Sequence, residues 1–395
     1  MNISTRIKNM NYSPIRNIVP SLENAKNKNL NVYEMHIGQP NIKTPDAFFD
    51  GINNYKEKII KYENSAGSHA TIKAFCQMYK NAKIDLTEDE ILITHGGSEA
   101  IMFAIQTICD PGDEVIIFEP FYSNYDSFIK CASVKPCPIR LDANNDYKIP
   151  PYKTLQKAIT NKTKAILLSN PNNPLGTILS KDEMHTIAQL AIEYDLFIIT
   201  DEVYRQFVYD NCYYESFMNI DGLTDRCVLV DSISKHYSAC GARIGVLATK
   251  NKEFYSQALK LCQARLSVST IEQIASANLI YTMDSYADNV RGEYMRRRDV
   301  FCTELSKIDG VDFVFPKSAF YVFATLPVDD TQSFVRFLLE DFEHNGETLS
   351  FAPGAGFYIN ADIKNAARFS FCANACDELK TAAKLLKIGI NEYKK

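Results

Sequence analysis

The sequence lacks several features that mark whole classes of protein. No stretch approaches the roughly 20 consecutive apolar residues that a membrane-spanning helix needs. Residues 1–20 contain no continuous apolar core of a secretory signal peptide. There is no basic surplus, since the 395 residues carry a formal net charge of -5, which argues against a nucleic-acid partner. We therefore expect a cytoplasmic protein that binds neither nucleic acid nor membrane.

The patterns that form metal sites and disulfide frameworks are also missing. None of the 11 cysteines belongs to a Cys-x-x-Cys pair, and the 6 histidines are scattered without the spacing of metal ligands. The cysteines stand singly within apolar stretches, where a free thiol behaves as a small core side chain. We expect reduced cysteines and no metal site.

The sequence does contain a regular alternation of short apolar runs with amphipathic helical patterns, such as 98–109 and 181–194. The runs are rich in Ile, Val and Leu and lack strict polar alternation, which is typical of strands buried on both faces of a parallel sheet. This alternation predicts an α/β fold with a mostly parallel central sheet flanked by helices. The predicted strands are residues 90–94, 114–118, 164–169, 196–200, 226–231 and 244–249.

The alternation of apolar runs with helical patterns changes from about residue 291. The chain is also long enough for two domains. We predict a large domain of residues 46–290 and a smaller α+β domain formed by residues 1–45 and 291–395. The elements predicted in the later part are helices at 291–306, 331–344 and 376–393 and a strand pair at 311–315 and 319–325.

The most informative segment runs from Ser232 to Gly245. It places Lys235 three residues after the Ser232 hydroxyl and eight residues before the Arg243 guanidinium. A lysine that forms a Schiff base needs a partly desolvated, cation-rich pocket, and a hydroxyl with a guanidinium suits a phosphate monoester. Pyridoxal 5'-phosphate (PLP) requires this combination. For this segment alone, a surface Lys and Arg around a glycine turn is an equal alternative.

Further polar segments follow the predicted strands, at the edge where ligands of open α/β sheets bind. Gly97 and Ser98 open a helix, whose N–H groups can bind an anion, although for this segment alone a plain tight turn is favoured. Tyr122 offers an aromatic face to a flat heterocycle, with burial in the core as the alternative. Asn173 lies in a rigid turn before Pro174, where its amide could donate to a ring oxygen and a cis peptide is possible.

Two charged residues stand out because their surroundings are apolar. Asp201 ends an apolar strand, where a carboxylate is costly unless it meets a cation such as a protonated pyridine; a helix N-cap is the alternative. Tyr204 follows three residues later and could reach the same ring oxygen as Asn173. Arg368 can grip a carboxylate with its fork of N–H groups, or form a structural ion pair.

In this order and at strand ends, the segments resemble the class I/II aminotransferases of PLP fold type I, of the aspartate-aminotransferase-like kind. The resemblance extends from Ile37 to Arg368. It implies PLP as cofactor and a homodimer with shared active sites, in which Tyr62 reaches the phosphate bound by the partner subunit. By role, the implied residues are Lys235, Asp201 and Tyr204 in catalysis; Gly97, Ser98, Tyr122, Asn173, Asp201, Tyr204, Ser232, Lys235, Arg243 and Tyr62 in cofactor binding; and Gly38, Asn173 and Arg368 in substrate binding.

The resemblance implies ping-pong transfer of an amino group between an L-amino acid (aspartate or another, including aromatic) and a 2-oxo acid such as 2-oxoglutarate. Alternatives on the same scaffold are a β-elimination lyase, a cyclase, an amino-acid oxidase or a PLP-binding regulator without turnover. The motif 316–321 departs from the family because it lacks the usual glycine, which leaves the shape of the substrate pocket open. Arg265 could face the pocket and bind an acidic side chain of the substrate, but a structural ion pair is favoured.

Overall fold

The computed structural model describes residues 1–282 and 286–394. Within them the strands form a seven-stranded, a four-stranded and a two-stranded sheet. The strands are β1 (Asn31–Glu34), β2 (Ile91–His95), β3 (Glu114–Glu119), β4 (Lys135–Arg140), β5 (Thr163–Ser169), β6 (Phe197–Asp201), β7 (Cys227–Ser232), β8 (Ile244–Ala248), β9 (Asp312–Phe313), β10 (Tyr321–Thr325), β11 (Glu347–Ser350), β12 (Ala352–Pro353) and β13 (Ala366–Ser370). The helices are α1 (Thr5–Lys8), α2 (Val19–Asn27), α3 (Asp46–Asn53), α4 (His69–Asn81), α5 (Gly96–Ile108), α6 (Asn124–Cys131), α7 (Tyr152–Gln156), α8 (Lys181–Glu193), α9 (Ile233–His236), α10 (Lys252–Arg265), α11 (Thr270–Tyr281), α12 (Tyr286–Leu305), α13 (Thr331–Glu340) and α14 (Cys376–Tyr393).

The seven-stranded sheet has the order β2-β8-β7-β6-β5-β3-β4. The pairs β3–β4, β3–β5, β5–β6 and β6–β7 are parallel, which confirms the predicted mostly parallel sheet. Strand β8 runs antiparallel to both of its neighbours, β2 and β7. Its sequence is as uniformly apolar as that of the parallel strands, because it too is buried on both faces.

The register of the parallel strands decides where the polar strand ends meet. Ser169 at the end of β5 lies opposite Asp201 at the end of β6, and Asp201 in turn lies opposite Val230 of β7. The segments that follow these strands therefore leave the sheet along one edge. The chain passes from β2 directly into α5, so the start of that helix lies at the same edge two strands beyond β7.

The later part of the chain is built around the four-stranded antiparallel sheet β12-β13-β10-β9, with α12 packed against α14. The N-terminal segment joins this region, because β1 pairs in parallel with β11 and α2 packs against α13. The limits proposed for the two domains stay a prediction. Residues 283–285 and Lys395, which fall within the predicted domains, lie outside the described residues.

Most predicted elements are present with boundaries shifted by a few residues. Helix α14 has the predicted bounds, α5 begins two residues earlier than expected, and α13 ends at Glu340 where the prediction extended to residue 344. Strand β4 was not predicted. It contains two prolines and pairs only with β3 at the edge of the sheet, a position that tolerates proline.

Candidate active site

A cavity of about 600 Å³ lies at the edge where the polar strand ends meet. It is bordered by the ends of β6 and β7, the start of α5, the N-terminal segment and β13. All but one of the predicted site residues line it, although they come from positions spread over more than 300 residues of chain. The residues that line the cavity as predicted are Gly38, Gly97, Ser98, Tyr122, Asn173, Asp201, Tyr204, Ser232, Lys235, Arg243 and Arg368.

Lys235 is held by backbone from a distant part of the chain. It lies on the short helix α9 directly after β7, and its Nζ donates a 2.6 Å hydrogen bond to the carbonyl oxygen of Gly38. The Sγ of Cys240 lies 3.5 Å from the same nitrogen. Gly38 can approach this closely because it has no side chain, since a Cβ there would collide with the ring of Tyr321. The amine is thus held at the cavity wall.

The anion-binding end of the cavity is formed where α5 begins. Gly96 has φ +71°, a conformation that favours glycine, and a Cβ at this position would meet the guanidinium of Arg243. Arg243 donates to the carbonyl oxygen of Cys240 at 3.0 Å, which leaves other N–H groups of its fork available. A helix N-terminus, a guanidinium and the hydroxyl of Ser98 suit a phosphate group. The Ser232 hydroxyl, which was predicted to join them, lies at the cavity but donates to the carbonyl oxygen of Ile244 at 2.9 Å.

Asp201 is a buried carboxylate that lacks a cationic partner among the described residues. It is 7 % exposed and accepts hydrogen bonds from the hydroxyl of Tyr125 at 2.8 Å and the N–H of Val203 at 3.3 Å. Burial raises its pKa from 3.8 to about 6, against the opposing effects of these hydrogen bonds and of the charge on Lys235. The alternative of a helix N-cap is wrong, because a turn follows Asp201. A cation placed beside this carboxylate would relieve the cost of its burial.

Arg368 presents the opposite case, a buried cation without an anion. It is 1 % exposed, and it donates to the Asn173 side-chain oxygen at 3.1 Å and to the carbonyl oxygen of His36 at 2.8 Å. Its Nε has no hydrogen-bond partner, and no carboxylate pairs with it in residues 1–282 and 286–394. The guanidinium lies over the ring of Tyr321, 4.4 Å from the centroid. The alternative of a structural ion pair is therefore wrong for the described chain.

A chain of hydrogen bonds connects Arg368 to the predicted ring-oxygen donors. The Asn173 amide donates to the Tyr204 hydroxyl at 3.4 Å, and the hydroxyls of Tyr204 and Tyr321 lie 2.8 Å apart. Burial raises the pKa of Tyr204 well above 10, so its hydroxyl stays protonated and can donate. The Asn173–Pro174 peptide is cis, as the sequence allowed.

Tyr125 and Tyr321 are not among the predicted site residues, although both contact them. Tyr125 lies in the first turn of α6, three residues after Tyr122 and within the same segment that follows β3, so a search of that segment for a second hydroxyl could have detected it. Tyr321 ends the motif 316–321 that departs from the family. Ala319 in that motif has φ +55°, a left-handed conformation that is uncommon for a residue with a Cβ.

Tyr62 is the predicted site residue that lies outside the cavity, and Arg265, for which a structural ion pair was favoured, lies outside it too. Arg265 lies 3.8 Å from Glu99 and donates to the backbone carbonyls of Ser65 and Ile93, so it acts within the structure, as favoured, and does not face the cavity. Tyr62 is 81 % exposed and does not line the cavity of its own chain.

Known proteins resemble this chain over nearly its full length. The family model described as aminotransferase class I and II matches residues 28–379. An aspartate aminotransferase from Musicola paradisiaca is 29% identical over 399 residues, covering 99% of this chain and 97% of the relative. The (5-formylfuran-3-yl)methyl phosphate transaminase of Methanocaldococcus jannaschii is 30% identical over 396 residues, covering 99% and 100%. A crystal structure of aspartate aminotransferase from Thermotoga maritima has the same fold, with a TM-score of 0.90 at 24% identity over 98% of this chain and 100% of that one.

Proposed function

Because this chain belongs to the class I and II aminotransferase family, whose members use PLP, we propose that the residues of the cavity bind PLP and transfer an amino group between an L-amino acid and a 2-oxo acid. The amino acid is aspartate or another, including an aromatic one, and 2-oxoglutarate is an expected acceptor. When bound, PLP supplies an electron-accepting ring that stabilises negative charge at the substrate Cα.

The charges of the cavity fit PLP at each end of the molecule. The uncompensated carboxylate of Asp201 suits the protonated pyridine nitrogen, and the hydrogen bonds of Asn173 and Tyr204 suit the ring oxygen. The phosphate suits the start of α5 and the guanidinium of Arg243, and the amine of Lys235 suits the carbonyl carbon. Tyr122 lines the same cavity and can stack on the ring.

The residues of this chain then carry out three tasks. Arg368 binds the α-carboxylate of the substrate with its guanidinium, which has five N–H donors and makes two hydrogen bonds within the protein. Lys235 takes the proton from the substrate Cα, and the Gly38 carbonyl to which it donates holds its amine at the cavity wall. Asp201 keeps its negative charge opposite the ring nitrogen while charge develops at Cα. The observation that carries this proposal is the buried, unpaired guanidinium of Arg368 in the same cavity as Lys235 and Asp201.

Transamination is favoured over the other reactions that the scaffold supports. The relatives of this chain are named as aminotransferases, which argues against the lyase, cyclase, oxidase and regulator alternatives. No helix within the described residues is long and apolar enough to cross a membrane. A cytoplasmic location and a homodimer that shares its active sites are also part of this proposal. The location is supported by 11 free thiols, and the dimer by the exposure of Tyr62.

A half-reaction without an acceptor tests the proposal. The protein is loaded with PLP, single amino acids are added without any 2-oxo acid, and both the released 2-oxo acid and the visible absorption of bound PLP are followed. We expect one 2-oxo acid per site, after which the reaction stops, and no reaction in Lys235→Ala. Continued release of ammonia without an acceptor would overturn the transaminase assignment in favour of elimination or oxidation. Substantial turnover by Lys235→Ala would overturn the role of the lysine.

A further inference from the structure

The cavity contains one more cation than the cofactor and the α-carboxylate explain. Four cationic side chains line it within the described residues, Arg16, Lys235, Arg243 and Arg368, whereas Asp201 supplies the carboxylate of the wall. The proposed function, on which this inference rests, assigns three of these cations: Lys235 to the cofactor carbonyl, Arg243 to the phosphate and Arg368 to the α-carboxylate. Arg16 is left without an anion.

Arg16 is held at the cavity although it lies in the N-terminal segment. Its backbone N–H donates to the carbonyl of Ser13 at 3.0 Å, which closes a turn. Pro14 packs directly against Gly356, a position where a Cβ would collide with the proline ring. Ile18, on the other side of Arg16, is 2 % exposed and belongs to the hydrophobic core of the later part of the chain. The residue is therefore anchored on both sides, unlike a side chain on a free terminus.

Arg16 is an exposed residue that lines the cavity, and its guanidinium forms no ion pair or hydrogen bond with any side chain of the described residues. The positive charges of Arg16 and Arg368 both act on the imidazole of His36. Burial lowers the pKa of His36 to about 4; the charge of Glu34 opposes this shift, and the positive charges of Arg368, Lys26 and Arg16, in that order, add to it. The carbonyl of His36 accepts a hydrogen bond from Arg368. Because Arg16 and Arg368 line the same cavity, the donors of Arg16 are available to a substrate whose α-carboxylate is bound by Arg368.

We propose that Arg16 binds a second anionic group at the side-chain end of the substrate, so that the preferred substrates are amino acids and 2-oxo acids with a distal anion. A carboxylate such as that of glutamate or aspartate fits a guanidinium fork with two parallel hydrogen bonds. A phosphate ester offers the same chemistry. A neutral side chain leaves Arg16 solvated and gains nothing from it.

The test compares half-reactions of the PLP-loaded wild type and of Arg16→Gln. Glutamate and glutamine form a matched pair of substrates that differ in the distal charge, and O-phosphoserine provides a phosphate. Arg6→Gln is the matched control protein, because Arg6 lies in the same N-terminal segment but donates to Ser133 outside the cavity. We expect kcat/KM of Arg16→Gln to fall about 10- to 100-fold for glutamate and to stay within about 2-fold for glutamine. PLP binding should be unchanged, and Arg6→Gln should behave as the wild type.

The outcomes separate this inference from the proposed function. A larger loss for O-phosphoserine than for glutamate identifies the distal anion as a phosphate, and the reverse identifies a carboxylate. Equal losses for glutamate and glutamine, or no loss for any anionic substrate, overturn the role of Arg16. A wild type that converts neutral amino acids and rejects all anionic ones also overturns it and leaves the proposed function intact. Failure of the wild type with every amino acid overturns the proposed function itself.

Discussion

Asp201 is the residue whose environment makes the clearest demand for a ligand. Its pKa of about 6, raised by burial from 3.8, means that the folded protein without PLP binds a proton more tightly than the unfolded chain does. Tighter proton binding stabilises the folded protein, and this stabilisation is fully present below pH 3.8 and is lost as the pH rises to about 6. The difference corresponds to about 3 kcal/mol, because one pKa unit equals about 1.4 kcal/mol.

We therefore expect Asp201→Asn to stabilise the PLP-free protein relative to the wild type at pH 7, by up to about 3 kcal/mol, and to have little effect at pH 4. Chemical denaturation of both proteins at the two pH values measures this. Comparison of variants is needed because His36, with a pKa lowered to about 4 by burial, titrates in the same range with the opposite sign. If the difference between variant and wild type is the same at both pH values, the carboxylate is not desolvated as described.

The residues that could be predicted from sequence are those whose chemistry conflicts with their neighbours. Lys235, Asp201 and Arg368 each stand in or beside an apolar strand, so their charge needs a reason that sequence alone can state. Arg16 and Tyr321 could not be found in this way. They reach the cavity only because separate elements of the fold meet there. From sequence alone, the guanidinium of Arg16 in its polar N-terminal stretch is indistinguishable from that of an arginine exposed to solvent.

At the scale of elements, side chains alternate between the cavity and a second buried polar layer. Asp201 and Ser232 line the cavity, while the adjacent Glu202 and Asp231 do not. Asp231 is fully buried, pairs with Arg205, and accepts from the Tyr79 hydroxyl at 3.1 Å and its neighbour's N–H at 2.7 Å. Contacts behind the cavity thus connect the strand ends that carry the proposed cofactor-binding residues.

Neutralising Asp231 should destabilise the protein strongly, because Arg205 would remain buried without its anion. We expect Asp231→Asn to lose about 3–5 kcal/mol of unfolding free energy. Asp195→Asn is the matched control, since Asp195 pairs with Arg226 but its side chain is 93% exposed, and we expect a loss of at most about 1 kcal/mol. Denaturant titration measures both, and similar small losses would show that the Asp231–Arg205 pair does not hold the strand ends.

The elements themselves were predictable where burial alone sets the pattern. Strands β5, β6 and β7 are continuous apolar runs, and their bounds were predicted within one residue. Two features of the sheet could not be predicted from such runs. The direction of β8 depends on how the chain enters it and not on its composition, and the prolines of β4 hide a strand that is tolerated only at an edge.

At the scale of the whole molecule, Tyr62 is the predicted site residue that a single chain does not use. It lies beside Ile59 and Ile60, which are 67% and 65% exposed, so an apolar surface accompanies it. Exposed apolar side chains that cluster in this way mark interaction surfaces. This is the arrangement expected if Tyr62 reaches the phosphate bound by a partner subunit.

Mixing two defective variants tests this arrangement. The Lys235→Ala variant has no functional site but carries Tyr62. The Tyr62→Ala variant keeps Lys235, and we expect it to bind PLP about 10-fold more weakly because a hydrogen bond to the charged phosphate is lost. In a homodimer with shared sites, a hybrid of the two has one complete site, so random exchange of subunits restores about a quarter of all sites. Transaminase activity at limiting PLP should therefore rise when the two variants are unfolded together and refolded, but not when they are mixed folded and kept from exchanging. If Tyr62 acts within its own chain, or if the protein is a monomer, refolding the mixture yields no more activity than the sum of its parts.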